Sequence, residues 1–291
     1  MGHTSTGGSP HGETALAGKW FRSIVPRQDA PAAIDTGLAH PARIYNYWLG
    51  GKDNFAADRE AGDRAVEANP DILRGVRANR RFLGRAVLYL AGEARVRQFL
   101  DIGTGLPAMD NTHEVAQAVA PDARVAYVDN DPIVLAHARA LLTSTPEGHM
   151  AYIDGDARDT AAVLEAASRH LDFSQPVAIM ALMVLQHIPD SDDPQRIVAR
   201  LVDAMPPGSY LVVSDTASDI RPEVVAESQR RLNARMAGRQ TRRTRAQIQQ
   251  YFTGLEMVPP GLVTLNRWRP EPDDPDPGED IAAYCGIGRK P

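Results

Sequence analysis

The chain has 291 residues, 43% hydrophobic and 24% charged, the balance of a soluble globular protein with one large or two small domains. Its 32 Lys and Arg face 37 Asp and Glu, and a net charge of −5 gives no general pull toward nucleic acid or an anionic membrane. A single cysteine, Cys285, excludes an intrachain disulfide and a cysteine-built zinc site, and no apolar run is long enough to span a bilayer.

Residues 1–35 mix Gly, Pro, Ser and His without a period and read as a mobile tail. They lack the apolar centre of a signal peptide, so a cytoplasmic protein is expected. Residues 36–94 read as a helical entry segment. Ile44, Tyr47 and Trp48 fall at helical spacing before Gly50-Gly51, and a second helix covers 54–69 up to Pro70. A third covers 72–91, with Val76, Phe82, Leu83, Val87 and Leu90 on its apolar face. From 95 onward strands alternate with helices. Strands are predicted at 96–102, 124–128, 150–153, 177–185 and 210–214, with helices at 111–119, 133–142, 161–170 and 195–204 between them. That alternation predicts an α/β, Rossmann-like doubly wound sheet, mostly parallel, with helices on both faces. Helices are expected at 221–237 and 245–252, and two late strands at 262–268 and 281–287 would add an antiparallel edge.

In such a sheet, ligands bind beyond the carboxyl ends of the strands, where the strand order reverses. The segment Phe99-Leu100-Asp101-Ile102-Gly103-Thr104-Gly105 therefore carries the most information. Its glycines allow a tight turn and close approach of a ligand. The continuation to Ala108 also satisfies a dinucleotide fingerprint, but Asp101 would face the pyrophosphate, at a cost on the order of 3 kcal/mol per charge. Pro107 removes an N–H where phosphate would need one. The loop suits a cation, an ammonium or a sulfonium, better than a diphosphate. Asp129, closing the second strand beside Asn130, can accept both hydroxyls of a ribose. Asp131 and Asp110 read as helix caps instead. Asp156, followed by Ala157 after the third strand, can accept from an adenine amino group or serve as a turn residue. Met183 follows the fourth strand and can pack on an adenine ring, while Gln186 and His187 reach toward a transfer site. His113 stands where Asn111 and Glu114 form a capping pair, so its catalytic use competes with a structural one. The eight His are scattered without ligand spacing, and no metal site is expected.

Asp101-Ile102-Gly103-Thr104-Gly105, Asp129, Asp156, the Leu185-Gln186-His187-Ile188-Pro189 run and Pro207-Gly208 before a strand resemble class I S-adenosylmethionine-dependent methyltransferases. The twenty residues from His40 to Arg59 resemble, more narrowly, the entry signature of a bacterial S-adenosyl methyltransferase family long carried as a domain of unknown function. Residues 111–117 and 127–134 are similar to the same family, and Ala108 departs from it, standing where a hydroxyl residue is usual. The resemblance implies S-adenosylmethionine held by Gly103 and Gly105, with Asp129 on the ribose and Asp156 near the adenine. It implies too that the entry segment, with Arg43, Tyr45, Tyr47, Lys52 and Asn54, folds over a domain spanning 95–291 as a lid.

Missing features narrow the acceptor. No Asn/Asp-Pro-Pro-aromatic motif follows the fourth strand, and the lone thiol near the C-terminus argues against a cysteine nucleophile. Seven Arg between 230 and 245 can hold an acidic substrate or RNA, or form a solvated helix face, which is the preferred reading. The expectation is O- or N-methylation of a small molecule, with His187, His113 and Tyr45 as the candidate bases and no nucleic-acid partner. A binding module for adenosyl ligands without turnover and an NAD-dependent oxidoreductase are the competing readings. Oligomeric state is left open.

Overall fold

The computed structural model describes Met1 and residues 35–236, 238–272, 274 and 278–291. The tail expected at 1–35 therefore lies almost wholly outside the described residues. Among the described residues three helices come first: α1 (Pro41–Trp48), α2 (Ala56–Ala68) and α3 (Ile72–Leu88), the last running on into a π-helical turn, Tyr89–Glu93. Then strands and helices alternate, as β1 (Gln98–Ile102), α4 (Thr112–Val119), β2 (Arg124–Asp129), α5 (Pro132–Leu141), β3 (His149–Asp154), α6 (Thr160–Ala167), β4 (Ala178–Leu182), α7 (Pro194–Ala204) and β5 (Tyr210–Thr216). The chain ends with α8 (Pro222–Asn233), α9 (Arg245–Gln249), β6 (Glu256–Met257), β7 (Val263–Thr264) and β8 (Ala283–Arg289).

These strands form one sheet in the order β3-β2-β1-β4-β5-β8-β6, with β7 also pairing β8. The first five are parallel and β8 is antiparallel to β5, so the expected doubly wound sheet with an antiparallel margin is present. The order reverses between β1 and β4, which puts the crevice at their carboxyl ends.

Alternation along each strand splits the core into two layers. Phe99, Val125, Tyr127, Met180 and Val212 pack toward α3 and α4, against Phe82, Val87 and Ala116. Leu100, Val128, Ile179 and Val213 pack on the opposite face against Val163 of α6 and Ile197 and Leu201 of α7. This period of two also decides where Asp101 goes: it shares the Phe99 side, toward α4. Burial on both faces is why the central strands read as unbroken apolar runs.

Two strands are shorter than in the sequence reading, the helix expected at 221–237 covers only Pro222–Asn233, and one strand was not expected. The run at 177–185 stops being strand at Leu182, because Met183 adopts a positive φ of 55° and the chain turns into a 3-10 turn, Leu185–His187. The expected strand at 262–268 shrinks to Val263–Thr264; the chain then turns, Arg267 N–H donating to Thr264 O at 2.8 Å. That turn drives Trp268 into the core, edge-on to Phe82 at 5.4 Å. The two-residue strand β6, too short to carry a periodic signal, was not expected.

Residues Asp35–Pro291 form a single compact unit, in which α1 and α2 pack on α8 through Ala39, Ile44, Ala61, Ala65, Leu232 and Met236. A buried ion pair holds the entry segment's turn: Arg43 Nε lies 3.0 Å from Asp58 Oδ2. Asp58, fully buried, also accepts from the backbone N–H groups of His40 (2.9 Å) and Phe55 (2.8 Å). Arg43 donates on to Leu38 O at 2.6 Å.

Candidate cofactor and acceptor site

A cavity of about 470 Å³ opens at the carboxyl ends of β1, β2 and β4, within the range of roughly 300–1,000 Å³ usual for small-molecule sites. Its floor is the loop after β1. Gly103 and Gly105 both take positive φ, 71° and 68°, and Gly103 N–H donates to Val128 O at 2.8 Å. A Cβ on Gly103 would sit 2.3 Å from the Val184 side chain, whereas one on Gly105 would meet nothing within 4 Å. The first glycine is required by packing, and the second keeps the loop bare.

Two carboxylates frame this loop. Asp129 Oδ2 accepts from Gly105 N–H at 2.8 Å and Oδ1 from Asp131 N–H at 2.9 Å, fixing the side chain at the rim of β2. Burial raises its pKa. Asp101 Oδ2 accepts from Thr112 Oγ1 at 2.6 Å, and burial pushes its pKa up to about 6. Raised pKa values of this kind mark carboxylates that gain from a cationic neighbour. Asp131 caps α5 through Ile133 N–H at 2.9 Å, as the sequence suggested. Asp110 does not cap α4; Asn111 and Glu114 do, the Asn111 N–H reaching Glu114 Oε2 at 2.8 Å.

Asp101, Gly103, Thr104, Gly105, Asp129, Asn130, Asp156, Ala157 and Met183 all line the cavity, with Tyr45 and His187. Asp156 is engaged by its own turn: Arg158 Nε reaches both carboxylate oxygens, at 2.9 and 3.0 Å, and this hydrogen bonding lowers its pKa.

Three candidates lie elsewhere. Tyr47 points away and donates to Asp63 at 2.7 Å on the exposed side of α1. Asn54 is spent on the entry turn, donating to Asn46 Oδ1 at 3.0 Å and Gly51 O at 2.9 Å. His113 is buried behind the wall, its Nδ1 2.7 Å from Tyr127 Oη, and burial lowers its pKa. Of the lining candidates, His187 is pushed down to about 4 by burial, which leaves the imidazole neutral and weakly basic at pH 7. Tyr45 accepts from Asn79 Nδ2 at 2.9 Å, Asn79 Oδ1 accepts from Ser214 Oγ at 2.7 Å, and burial raises the phenol's pKa.

A family model described as S-adenosyl methyltransferase matches residues 27–291. The chain belongs to this family. Its cofactor is accordingly S-adenosylmethionine, and its fold is that of the class I enzymes. A DUF574 family protein from Streptomyces avermitilis MA-4680 is 45% identical, with a TM-score of 0.85, over 88% of this chain and 99% of the other. A candidate methyltransferase from Thermobifida fusca YX is 40% identical, with a TM-score of 0.81, over 90% and 99%. The plantazolicin methyltransferase BpumL, only 11% identical, shares the fold alone, with a TM-score of 0.53 over 86% and 96%. No curated protein matches.

The methyltransferase's cavity fits its cofactor in chemistry: a bare glycine turn, a ribose-type carboxylate at Asp129 and a second carboxylate, Asp101, suited to an ammonium. Sequence reading missed several members of the wall. His40 opens the entry signature, and its Nδ1 lies 3.0 Å from Asp131 Oδ2, linking α1 to the Asp129 rim. Arg80 lines the cavity and donates to Asp110 O at 2.9 Å. Leu232 and Met236, from the end of α8, line the cavity as well. No local signal picks these out, since they reach the cavity only through the packing of distant segments.

The reading of the arginines between 230 and 245 needs a correction. Arg230, Arg231 and Arg235 do form surface pairs with Glu227 and Glu60. Arg243 is fully buried, donating to Leu185 O at 2.9 Å and Ile188 O at 2.7 Å, and its Nη2 lies 2.8 Å from Asp190 Oδ1. Arg242 is half-buried beside the cavity and belongs to no solvated face.

Proposed function

We propose that this methyltransferase methylates an oxygen or nitrogen of a small molecule held beside the cofactor in the 470 Å³ cavity. The observation that carries the reading is the double wall: glycine loop and strand-end carboxylates on one side, α1 and the end of α8 on the other. A cup walled on two sides and of this volume suits a small acceptor rather than a polymer. S-adenosylmethionine supplies an electrophilic methyl group on a sulfonium. Gly103, Thr104 and Gly105 offer it backbone, Asp129 and Asn130 hold the ribose hydroxyls, and Asp101 takes the ammonium. Asp156, Ala157 and Met183 border the adenine. Residues 36–94 act as the lid over the domain at 95–291, excluding water and orienting the acceptor; holding reactants within about 3–3.5 Å accounts for much of the rate in a displacement of this type.

Neither lining candidate is a strong base, so the cavity favours an acceptor whose attacking lone pair is free without prior proton loss. Tyr45 borders it, its hydroxyl held by donation to Val76 O at 3.3 Å and by Asn79 Nδ2 at 2.9 Å. A single cysteine, buried and reduced, suits a cytoplasmic setting. Among the described residues no helix is long and apolar enough to cross a membrane. The test is incubation with methyl-labelled cofactor and fractionated small-molecule extract. A labelled small product in any fraction is expected; label only in RNA or protein, or none at all, overturns the reading.

A further inference from the structure

A side chamber of about 80 Å³ opens off the cavity and shares Tyr45, Trp48, Met183, Gln186 and Gln240 with it. Its body is apolar, built from Ile72, Val76, Ile281 and Ala283, while Asn69, Thr216, Arg242 and the Arg221–Asp71 pair supply its polar lining. Buried polar atoms without a hydrogen-bond partner concentrate here. Of the eleven among the described residues, five belong to side chains lining this chamber: four can donate, Arg221 Nε and Nη2, Arg242 Nε and Thr216 Oγ1, and one, Gln186 Oε1 toward the main cavity, accepts. Such groups are normally satisfied, and a concentration of them calls for a missing partner.

The charge distribution says what kind of partner. Arg221 pairs with Asp71 through Nη1 only, which leaves its other two nitrogens to the interior. Arg221 also holds a positive φ of 49°, a backbone conformation rarely adopted by a side-chain-bearing residue and one often kept at binding sites. Arg242 has no hydrogen-bonded carboxylate among the described residues. The buried acid Asp215 lies 3.5 Å from Arg243 Nη1, and Arg243 takes Asp190 as well. Burial lowers the Arg242 pKa to about 10, opposed by Asp215, so the side chain stays cationic at pH 7. Two guanidinium groups with donors to spare, next to a hydroxyl, form the recognition set of a compact oxyanion.

We propose that this chamber receives the anionic end of the methyl acceptor, a carboxylate or a phosphate monoester on an apolar body. Its reactive oxygen or nitrogen then lies at the junction lined by Tyr45, Met183 and Gln186. The inference rests on the small-molecule methylation reading and names the acceptor's class. An RNA would need its phosphates outside the chamber, along the exposed Arg230, Arg231 and Arg235, and is the rejected alternative.

Calorimetry on the full chain, loaded with S-adenosylhomocysteine, tests it with benzoate, phenyl phosphate and benzamide as probes. At least one anion is expected to bind about tenfold or more tighter than neutral benzamide, and which anion wins separates carboxylate from phosphate. Arg242→Gln should erase that preference, Arg242→Lys should restore part of it, and Thr216→Val should weaken anion binding without touching the guanidinium groups. Equal affinity for benzoate, phenyl phosphate and benzamide, or an anion preference that survives Arg242→Gln, overturns the proposal. So does the absence of anion binding at about 10 mM. Binding of S-adenosylhomocysteine itself is read first. If it binds and the anions do not, only the acceptor class fails; if it does not bind, the methyl-transfer reading fails with it.

Discussion

The two walls of the cavity hold their polar groups by different means. Along the ends of β1, β2 and β3, carboxylates sit within two residues of a strand end and are fixed by hydrogen bonds, Asp129 by the N–H groups of Gly105 and Asp131, Asp101 by Thr112 and Asp156 by Arg158. Across from them, α1, α8 and the segment after it rely on ion pairs: buried Arg43 with buried Asp58, partly exposed Arg221 with Asp71, and buried Arg243 with exposed Asp190 and buried Asp215. The first wall is a rigid product of sheet geometry. The second stands only while its charge pairs stay complete, because an ion left alone in the interior is strongly unfavourable.

The contrast can be broken most forcefully at Asp58. Asp58→Ala strands Arg43 in the interior and should cost about 3–5 kcal/mol in denaturant unfolding. A loss below about 1 kcal/mol, the scale of an exposed pair, would erase the difference between the walls. On the sheet side, Gly103→Ala places a methyl on Val184 at an unfavourable positive φ. A destabilisation of about 2–4 kcal/mol is expected, with weakened S-adenosylhomocysteine binding by calorimetry.

Asp101 sharpens the comparison through pH. Its folded pKa of about 6 exceeds the ordinary 3.8, so the folded state holds this proton more tightly than the unfolded one. Its contribution to stability therefore falls as pH rises from about 4 to about 6, and stays low above that. His187, depressed to about 4, works in the opposite sense over roughly the same window, so the measurement is the difference between the parent protein and Asp101→Asn. That difference should decline by on the order of 2 kcal/mol between pH 4 and 7. A flat difference curve would mean Asp101 titrates normally.

Asp129→Ala is expected to weaken adenosyl-ligand binding by about 1.5–3 kcal/mol, the scale of lost charge-assisted hydrogen bonds. Unchanged affinity would put the ribose elsewhere. The smallest effect belongs to Tyr47→Phe, which removes one exposed hydroxyl contact with Asp63 and should leave cofactor affinity within calorimetric error. A clear loss would return Tyr47 to the cavity.

How much could be read in advance follows the same division. The parallel core, the glycine turn and the strand-end acids were legible because each depends on a short stretch: a buried strand, a turn that only glycine fits, a residue at the rim. Asp101, Asp129, Asp156 and Met183 were expected at the cavity from their places at or near strand ends, with the family resemblance behind Asp129 and Asp156. Tyr47 and Asn54 went astray for the opposite reason. They share the entry signature with His40, Arg43 and Tyr45, but a helix shows neighbours to different sides, and sequence spacing did not say which side faces the sheet. His113 was hidden by Tyr127 across the layer.

The order of strands and helices, the bare loop for the cofactor and the carboxylates around it were determined by the sequence itself, since near-neighbour sterics and the period of two suffice to specify them. Which arginines stay in solvent and which close a chamber was decided only in three dimensions. Arg230 and Arg242 are alike as residues; what separates them is whether distant segments, here α1, α3 and β8, close over the side chain and take its water away.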